Sequence, residues 1–428
     1  MEVQWDFIGV YSRMVESRSL RLNILQVGCF KSWIICNSVM LMSKNEQASN
    51  ATRGPRIALV ADFKEERWPS MDRVAESLHK ALIALPKEFD IQLLRPRMLR
   101  LFSRIPGFQS HHLPFNTDRL INRFLTYSIW ILGKRGKFDL FHIVDHSYSQ
   151  LVHVLDRRRV LVTCHDLDTF RCLLNQEEVP AGFFFRGMTS HILSGFRKSH
   201  RVTCDSQSTM DEILRHALLP DNKLSLCRMG VSTEFFRAVP LDLVPGKPRL
   251  LHVGSTIERK RIDVLLKVYS EVRKRIPGCE LIRIGGPLSC EQQALARNLG
   301  ILDAITTLEN ISETELVESY AAATLLLQPS DAEGFGLPVV EAMASGTPVL
   351  ASDLPVLREI GGDAAEYAAV AELDEWVERI CYLSNEAHCL PDQWQLRKER
   401  CRVQAGKFSW DQTAMKIAGI YREMLNSL

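Results

Sequence analysis

The sequence predicts an α/β protein made of two doubly wound, parallel-sheet domains facing each other across a cleft. Three observations predict it. From Arg56 onward, short β-branched runs alternate with amphipathic stretches, the order of strand–helix–strand units. The strand candidates are apolar throughout, as parallel strands covered on both faces must be. The alternation is interrupted at 238–248, AVPLDLVPGKP, where three prolines and a glycine mark a linker.

Taken in order, the strands of the first half are Ile57 to Ala61, Ile91 to Leu94, Leu140 to Val144, Val160 to Cys164 and Arg201 to Cys204. Helical periodicity falls between them at 71–84, 117–132, 182–197 and 207–217. Ser70 is placed to cap the first of these helices near Met71. The second half repeats the theme, with strands Arg249 to Val253, Glu280 to Ile284, Thr324 to Leu327 and Pro348 to Ala351. Its helices lie near 261–275, 290–299, 313–322, 337–345 and 371–383, and Phe408-Ser409-Trp410 opens a last amphipathic helix ending at Leu425. The domains are then 56–237 and 249–408, joined by the linker and followed by the terminal helix in 409–428. In such sheets ligands bind beyond the carboxyl ends of the strands, so two facing domains imply a site in the cleft.

Residues 1–55 read as an extension outside this fold, with Met40 or Met42 as alternative starts. The run Val27 to Met42 contains Lys31 and polar residues and falls short of a spanning helix. It begins too far in for a secretory signal. The rival reading is a membrane-associating hairpin.

Composition narrows the function. With 428 residues, 46% hydrophobic and 24% charged, the chain is an ordinary globular one. Lys and Arg exceed Asp and Glu by 53 − 51 = 2, so no overall field recruits nucleic acid. The 11 cysteines form no C-x-x-C pair and no zinc spacing, so no metal site is expected, and an odd number of scattered thiols suits a reducing cytoplasm.

Four segments carry chemistry. In Asp331 to Pro348, DAEGFGLPVVEAMASGTP, Glu333 precedes a Gly334-Phe335-Gly336 turn, Pro338 suits the first position of a helix, and Glu341 follows in its first turn. Glycines admit close backbone approach and a helix start offers free N–H groups, so an anion or a sugar hydroxyl fits there. Glu341 is either a ligand for paired hydroxyls, such as those of a ribose, or a first-turn acid serving the helix dipole. In His252 to Arg261, HVGSTIERKR, a strand-end glycine, Gly254, is followed by Arg259 and Lys260. As a bare pattern such a charged run is usually a solvated helix start; the alternative is that the cations compensate the charge that grows on a departing diphosphate without a metal. Val162 to Leu167 ends a strand on the polar pair His165-Asp166; a lone strand-end histidine is more often structural than catalytic. The loop Asp62 to Asp72, DFKEERWPSMD, brings Trp68-Pro69-Ser70, with Trp68 either walling an acceptor site or packing inward.

The run E-G-F-G-L-P-V-V-E-A-M-A-S-G-T-P-V resembles the E-x7-E signature of retaining glycosyltransferases of family 4, which have the GT-B fold of two Rossmann-like domains and use nucleotide-activated sugars. The resemblance spans about Arg56 to Leu428. It implies that Glu333 contacts the donor sugar, that Glu341 contacts the ribose, and that the amides of Phe335, Gly336 and Leu337 reach sugar hydroxyls or phosphate. It likewise implies phosphate contacts from Gly254, Arg259 and Lys260, with Ser255 standing where family members commonly carry a first arginine. His165 would face the donor sugar, with Asp166 orienting it or capping the next element. Gly285-Gly286 and Leu308 to Ile311 fall where base and ribose are cradled, and Arg228-Met229-Gly230-Val231 resembles the family's N-G-V-D segment. Many members place a Gly-Gly turn in the first loop; here Trp68 and Ser70 stand on that acceptor side instead.

The activity implied is metal-independent, cofactor-free transfer of a hexose from a nucleoside diphosphate sugar to an acceptor hydroxyl with retained configuration. The departing phosphate oxygen would take the acceptor's proton. The acceptor would be a glycan or a lipid-linked sugar of exopolysaccharide or cell-envelope assembly. Between Arg95 and Arg135, eight basic residues interleave with Leu99, Leu101, Phe102, Phe124, Trp130 and Ile131. This mix suits peripheral contact with the inner face of the membrane, or equally a helix with one solvated face. Rival readings are a non-catalytic nucleotide-sugar-binding protein and a sugar-nucleotide epimerase. An oxidoreductase is disfavoured because no G-x-G-x-x-G follows Ile57 to Ala61.

Overall fold

A computed structural model describes residues 54–104, 112–177, 179–239, 247–370 and 372–428. The reading of 1–55 as an extension and most of the proposed linker lie outside the described residues. Two parallel six-stranded sheets form among the described residues. The first holds β1 (Arg56–Val60), β2 (Asp90–Leu94), β3 (Leu140–Ile143), β4 (Val160–Cys164), β5 (Arg201–Cys204) and β6 (Leu224–Leu226), in the order β2-β1-β3-β4-β5-β6. The second holds β7 (Arg249–Val253), β8 (Glu280–Ile284), β9 (Ile305–Leu308), β10 (Leu325–Gln328), β11 (Val349–Ser352) and β12 (Glu366–Ala368), in the order β12-β11-β10-β7-β8-β9. Both are doubly wound α/β sheets. Strand order reverses between β1 and β3 and between β7 and β10, and ligands bind in the crevices at such reversals.

The helices lie on both faces of each sheet. In the N-terminal domain they are α1 (Pro69–Ala84), α2 (His112–Ile121), α3 (Tyr127–Leu132), α4 (Arg171–Leu174), α5 (Phe183–Lys198), α6 (Gln207–Arg215) and α7 (Thr233–Phe236). In the C-terminal domain they are α8 (Ile262–Arg275), α9 (Cys290–Asn298), α10 (Glu313–Ala321), α11 (Leu337–Ala344), α12 (Pro355–Gly361), α13 (Leu373–Cys389) and α14 (Pro391–Ala405), followed by α15 (Trp410–Asn426). α15 returns to the first domain: Ala414, Ile417, Ile420 and Tyr421 share a core with Ile57, Leu59, Ala75 and Leu78. Tyr421 also hydrogen-bonds its hydroxyl to His142 Nδ1 at 2.7 Å.

Several expectations are corrected. β6, β9 and β12 are missing from the sequence-based strand list; all three are edge strands of three or four residues, too short and too half-exposed to leave an apolar run. The continuous helix expected over 117–132 is interrupted by a π-helical turn at Asn122–Thr126. The buried Asn122 amide donates to Asp118 O and Leu99 O, both at 2.7 Å, taking the place of a regular helical bond. α14 was not expected, because it buries only Trp394, Cys401 and Ala405 and so carries almost no apolar periodicity. Ser70 does not cap α1: the helix starts at Pro69, with Trp68 as N-cap and no side-chain bond there.

Candidate active site in the interdomain cleft

β7 and β10 diverge at the reversal point of the second sheet, and the chain leaving each enters the cleft. After β7 come Gly254 and Ser255, then a short 3-10 turn, Glu258–Lys260, that presents the two cations. After β10 come Ser330 and Glu333. Here the two segments join: Lys260 Nζ lies 2.7 Å from Glu333 Oε1, and Arg259 Nη1 lies 3.3 Å from Oε2 and donates to Ala332 O at 2.9 Å. Gln328 and Ser330 donate to the same Oε1 at 2.5 and 2.6 Å.

The Glu333 side chain is only 6% exposed. Burial alone would push its carboxyl up, but Lys260 and Arg259 outweigh burial and hold it at about 2. Burial conversely pushes the Lys260 ammonium below its ordinary value against the pull of Glu333. The result is a fixed anion between two cations, lining a cavity of about 310 Å³ together with Ser255, Phe335, Gly336 and Leu337.

Glu333 is followed by Gly334, whose backbone meets the opposite domain. A Cβ there would clash with the His165 carbonyl and come within 2.9 Å of Asp166 Cβ. Its own carbonyl accepts from Ser206 Oγ at 2.7 Å and Thr209 Oγ1 at 3.3 Å. Gly336, at φ 103°, is the N-cap of α11, a backbone conformation that favours glycine. The helix therefore begins at Leu337 and Pro338 is its second residue. Glu341, the fifth, lies beyond the first turn and is buried, so it does not act as a first-turn dipole acid.

Glu341 instead accepts from Tyr320 Oη at 2.8 Å on one oxygen and meets Arg73 Nη1 at 3.1 Å on the other. Burial raises its carboxyl, and Arg73 and Tyr320 pull it back only in part. Arg73 belongs to α1, so this ion pair crosses between the domains. A second crossing forms where Arg259 meets Asp166 at 3.7 Å and Asp168 at 3.5 Å.

His165 lines the cleft, but both its ring nitrogens are engaged by protein groups. Nδ1 donates to Asp205 and Nε2 donates to Val144 O at 2.7 Å. Burial disfavours the imidazolium, yet Asp205 overrides it and lifts His165 to about 9. Asp205, rather than Asp166, orients the ring; Asp166 caps the following turn by accepting from Asp168 N at 3.0 Å. Because the folded pKa is raised, the stabilisation from charged His165 is complete below pH 6.5 and is lost as pH rises through 9. Asp205→Asn is expected to cost about 2 to 3 kcal/mol at pH 7 and to flatten the fall in melting temperature across pH 6.5–9. An unchanged alkaline limb in a thermal melt series would remove this role.

Trp68 and Ser70 line the same cleft from the N-terminal domain. Gly285 and Ile311, both half-buried, are not among the residues lining that cavity: a Cβ on Gly285 would clash with the Gly254 carbonyl, and Ile311 packs against the apolar core of the second domain. Sequence reasoning missed Gln328, Ser330, Tyr320, Arg73 and Asp205. One signal was legible: β4 and β5 pair with Cys164 beside Cys204, which sets the next residues, His165 and Asp205, side by side. Among the described residues, no group of three or more His, Cys, Asp or Glu side chains could hold a metal ion.

Comparison with known proteins follows this division. The family model described as Glycosyltransferase Family 4 matches residues 71–235, and the one described as Glycosyl transferases group 1 matches 237–395. The chain is 36% identical over 197 residues to a D-inositol 3-phosphate glycosyltransferase of Nocardia farcinica, covering 43% of this chain and 42% of that protein. It is 26% identical over 307 residues to the O-antigen chain mannosyltransferase B of Escherichia coli, covering 68% and 77%. The matched region spans about half the length of the first such relatives, 42%, 57% and 53%. In fold it is similar to sucrose-phosphate synthase from Thermosynechococcus elongatus, with TM-score 0.66 at 19% identity over 87% of this chain and 100% of that one. It is also similar to Anabaena HepE, solved with UDP and glucose, with TM-score 0.63 at 14% identity over 87% and 100%. With one family model on each domain and a GT-B arrangement of two doubly wound sheets, the chain belongs to the family 4 type of GT-B glycosyltransferases.

Proposed function

We propose that this protein is a retaining, metal-independent hexosyltransferase that carries a sugar from a nucleoside diphosphate to an acceptor hydroxyl. The observation that carries the reading is the Lys260–Glu333–Arg259 cluster at the switch point between β7 and β10. A diphosphate entering there meets two buried cations already held in place, and pre-set charge stabilises a leaving group without reorganisation at the moment of reaction. Glu333, ionised throughout the physiological range, accepts from donor-sugar hydroxyls, and Glu341 accepts from the ribose in place of Arg73. The bond from the anomeric carbon to the diphosphate oxygen breaks as the acceptor oxygen bonds on the same face. The acceptor's proton passes to the departing phosphate oxygen, so no protein base is required.

The acceptor is a glycan or lipid-linked sugar reached at the cytoplasmic face of the membrane. Leu99, Leu101, Leu125, Ile129 and Leu132 are exposed close in sequence to the exposed Arg97, Arg100, Arg104 and Arg135, a mix that favours anionic headgroups. No helix among the described residues is long and apolar enough to cross a membrane.

The test is a panel of UDP, GDP and ADP sugars, measured for binding and for nucleoside diphosphate release, with wild type beside Glu341→Ala. One sugar nucleotide is expected to bind, to be slowly hydrolysed, and to bind about 10²-fold more weakly to the variant, in line with the loss of a charged hydrogen bond. Equal binding by the variant would remove the ribose assignment. Binding without any turnover, with or without acceptor, would favour a non-catalytic nucleotide-sugar-binding protein. The anomeric configuration of the product, read by NMR, tests retention, and turnover in excess chelator tests metal independence.

A further inference from the structure

Beside the donor cleft, within the N-terminal domain, lies a second cavity of about 100 Å³. Leu120 and Phe124 on the α2 side and Phe185, Met188 and Ile192 on α5 give it an apolar wall, and Arg119, Arg123, Asp168 and Arg171 line part of the remainder. Two features tie it to the cleft. Trp68 lines both cavities, so the two adjoin at this residue. Asp168, which lines the second cavity, reaches across to the donor domain: its Oδ2 lies 3.5 Å from Arg259 Nε.

The Asp168 side chain is 8% exposed. Its Oδ1 accepts from Arg171 Nη1 at 3.4 Å, but its buried Oδ2 takes no hydrogen bond, and neither does the facing Arg259 Nε. That oxygen is met by the Arg259 ion pair alone and keeps capacity to accept a hydrogen bond. It is placed where the apolar cavity meets the cation that the proposed function assigns to the departing phosphate. Apolar surface continues outward as well: Phe183 and Phe184, which precede Phe185 on the first turn of α5, are 94% and 57% exposed.

We infer that this cavity is the subsite for an apolar group carried by the acceptor sugar, with Asp168 Oδ2 accepting the hydrogen bond of that sugar's hydroxyl at the junction. The inference rests on the transferase reading for the identity of the sugar as acceptor. Its chemistry is specific: an alkyl or prenyl chain lies against Phe124, Phe185, Met188 and Ile192, where burial removes apolar area from water. The hydroxyl end lies on the Trp68 side, next to Arg259. Burial and the neighbouring Asp166 raise Asp168 to about 6 against the pull of Arg259 and Arg171, so above that pH it is an acceptor.

The experiment uses the full chain and two probes that differ only in the apolar group, hexyl β-glucoside and methyl β-glucoside, with affinities measured by calorimetry or saturation-transfer NMR. Wild type is expected to bind the hexyl probe at least tenfold more tightly. Met188→Trp, which fills the cavity from a half-buried position, is expected to bring the ratio close to one. Asp168→Asn is expected to weaken both probes by a similar factor and leave the ratio intact. Equal affinities in wild type overturn the subsite without recourse to any variant, and a ratio unmoved by Met188→Trp places the apolar contact elsewhere. Binding of the sugar nucleotide in the same preparations separates the two readings. If it binds while the ratio is near one, only the subsite fails; if none binds while the ratio holds, the transferase reading fails and the acceptor assignment with it.

Discussion

Lys260→Gln lowers turnover about 10²-fold while leaving donor affinity within a few-fold of wild type. The expectation follows from where the charge is needed. On the proposed reading the ground-state diphosphate would be shared among Lys260, Arg259 and backbone groups of the loop, so losing one cation would be partly covered. As the glycosidic bond breaks, negative charge grows on the leaving oxygen, and an interaction that strengthens only then acts on kcat rather than on binding. Glu333 keeps Arg259, Gln328 and Ser330 as donors, which limits the structural damage of removing Lys260. Steady-state kinetics with a fixed acceptor, together with direct donor binding, are the measurements. Equal losses in affinity and turnover would reduce Lys260 to a ground-state binding residue, and no loss in either would move the diphosphate elsewhere in the cleft.

Glu333→Gln is expected to remove transfer activity by a similar or larger factor and to change how stability depends on acid. In the wild type the folded carboxyl, at about 2, lies below the ordinary value of 4.5. A depressed pKa contributes stability above the unfolded value and loses it as pH falls through the folded one, so the window is pH 4.5 down to 2. The shift corresponds to about 3 kcal/mol. Glutamine preserves the shape but leaves Lys260 and Arg259 facing each other without the anion between them, and breaking a buried pair by removing one partner is strongly destabilising. Chemical denaturation at pH 7 and at about pH 3 is the check: the gap between wild type and variant should narrow on acidification. A constant gap would show that Glu333 is not the ion anchoring the two cations. The same pKa means that the acidic limb of any pH–rate profile comes from another group.

Legibility differed between the fold and the site for physical reasons. Interior strands such as Val160–Cys164 and Arg249–Val253 are buried on both faces, so their sequences are continuous apolar runs with clear ends. Edge strands and the polar helix α14 are constrained by few contacts, and so little of their sequence is dictated. Within the site, residues close in sequence were readable as a motif: Glu333, Gly336 and Glu341 on one turn and helix start, and Arg259 with Lys260 on another. Their meeting was not readable, because it depends on β7 and β10 lying side by side although more than seventy residues separate them.

By itself the sequence determined two doubly wound domains and, in the second, the segment that resembles the family's E-x7-E signature, because periodicity, turn chemistry and short motifs are local properties of the chain. Only the tertiary structure decided that His165 is held by Asp205 with both nitrogens committed, and that Glu341 pairs with Arg73 across the cleft. It also placed a second cavity beside the cleft, with Trp68 lining both. These facts depend on which strand ends are neighbours and on which side chains lose their water together, and burial and charge pairing between distant segments leave no periodic trace in a single chain.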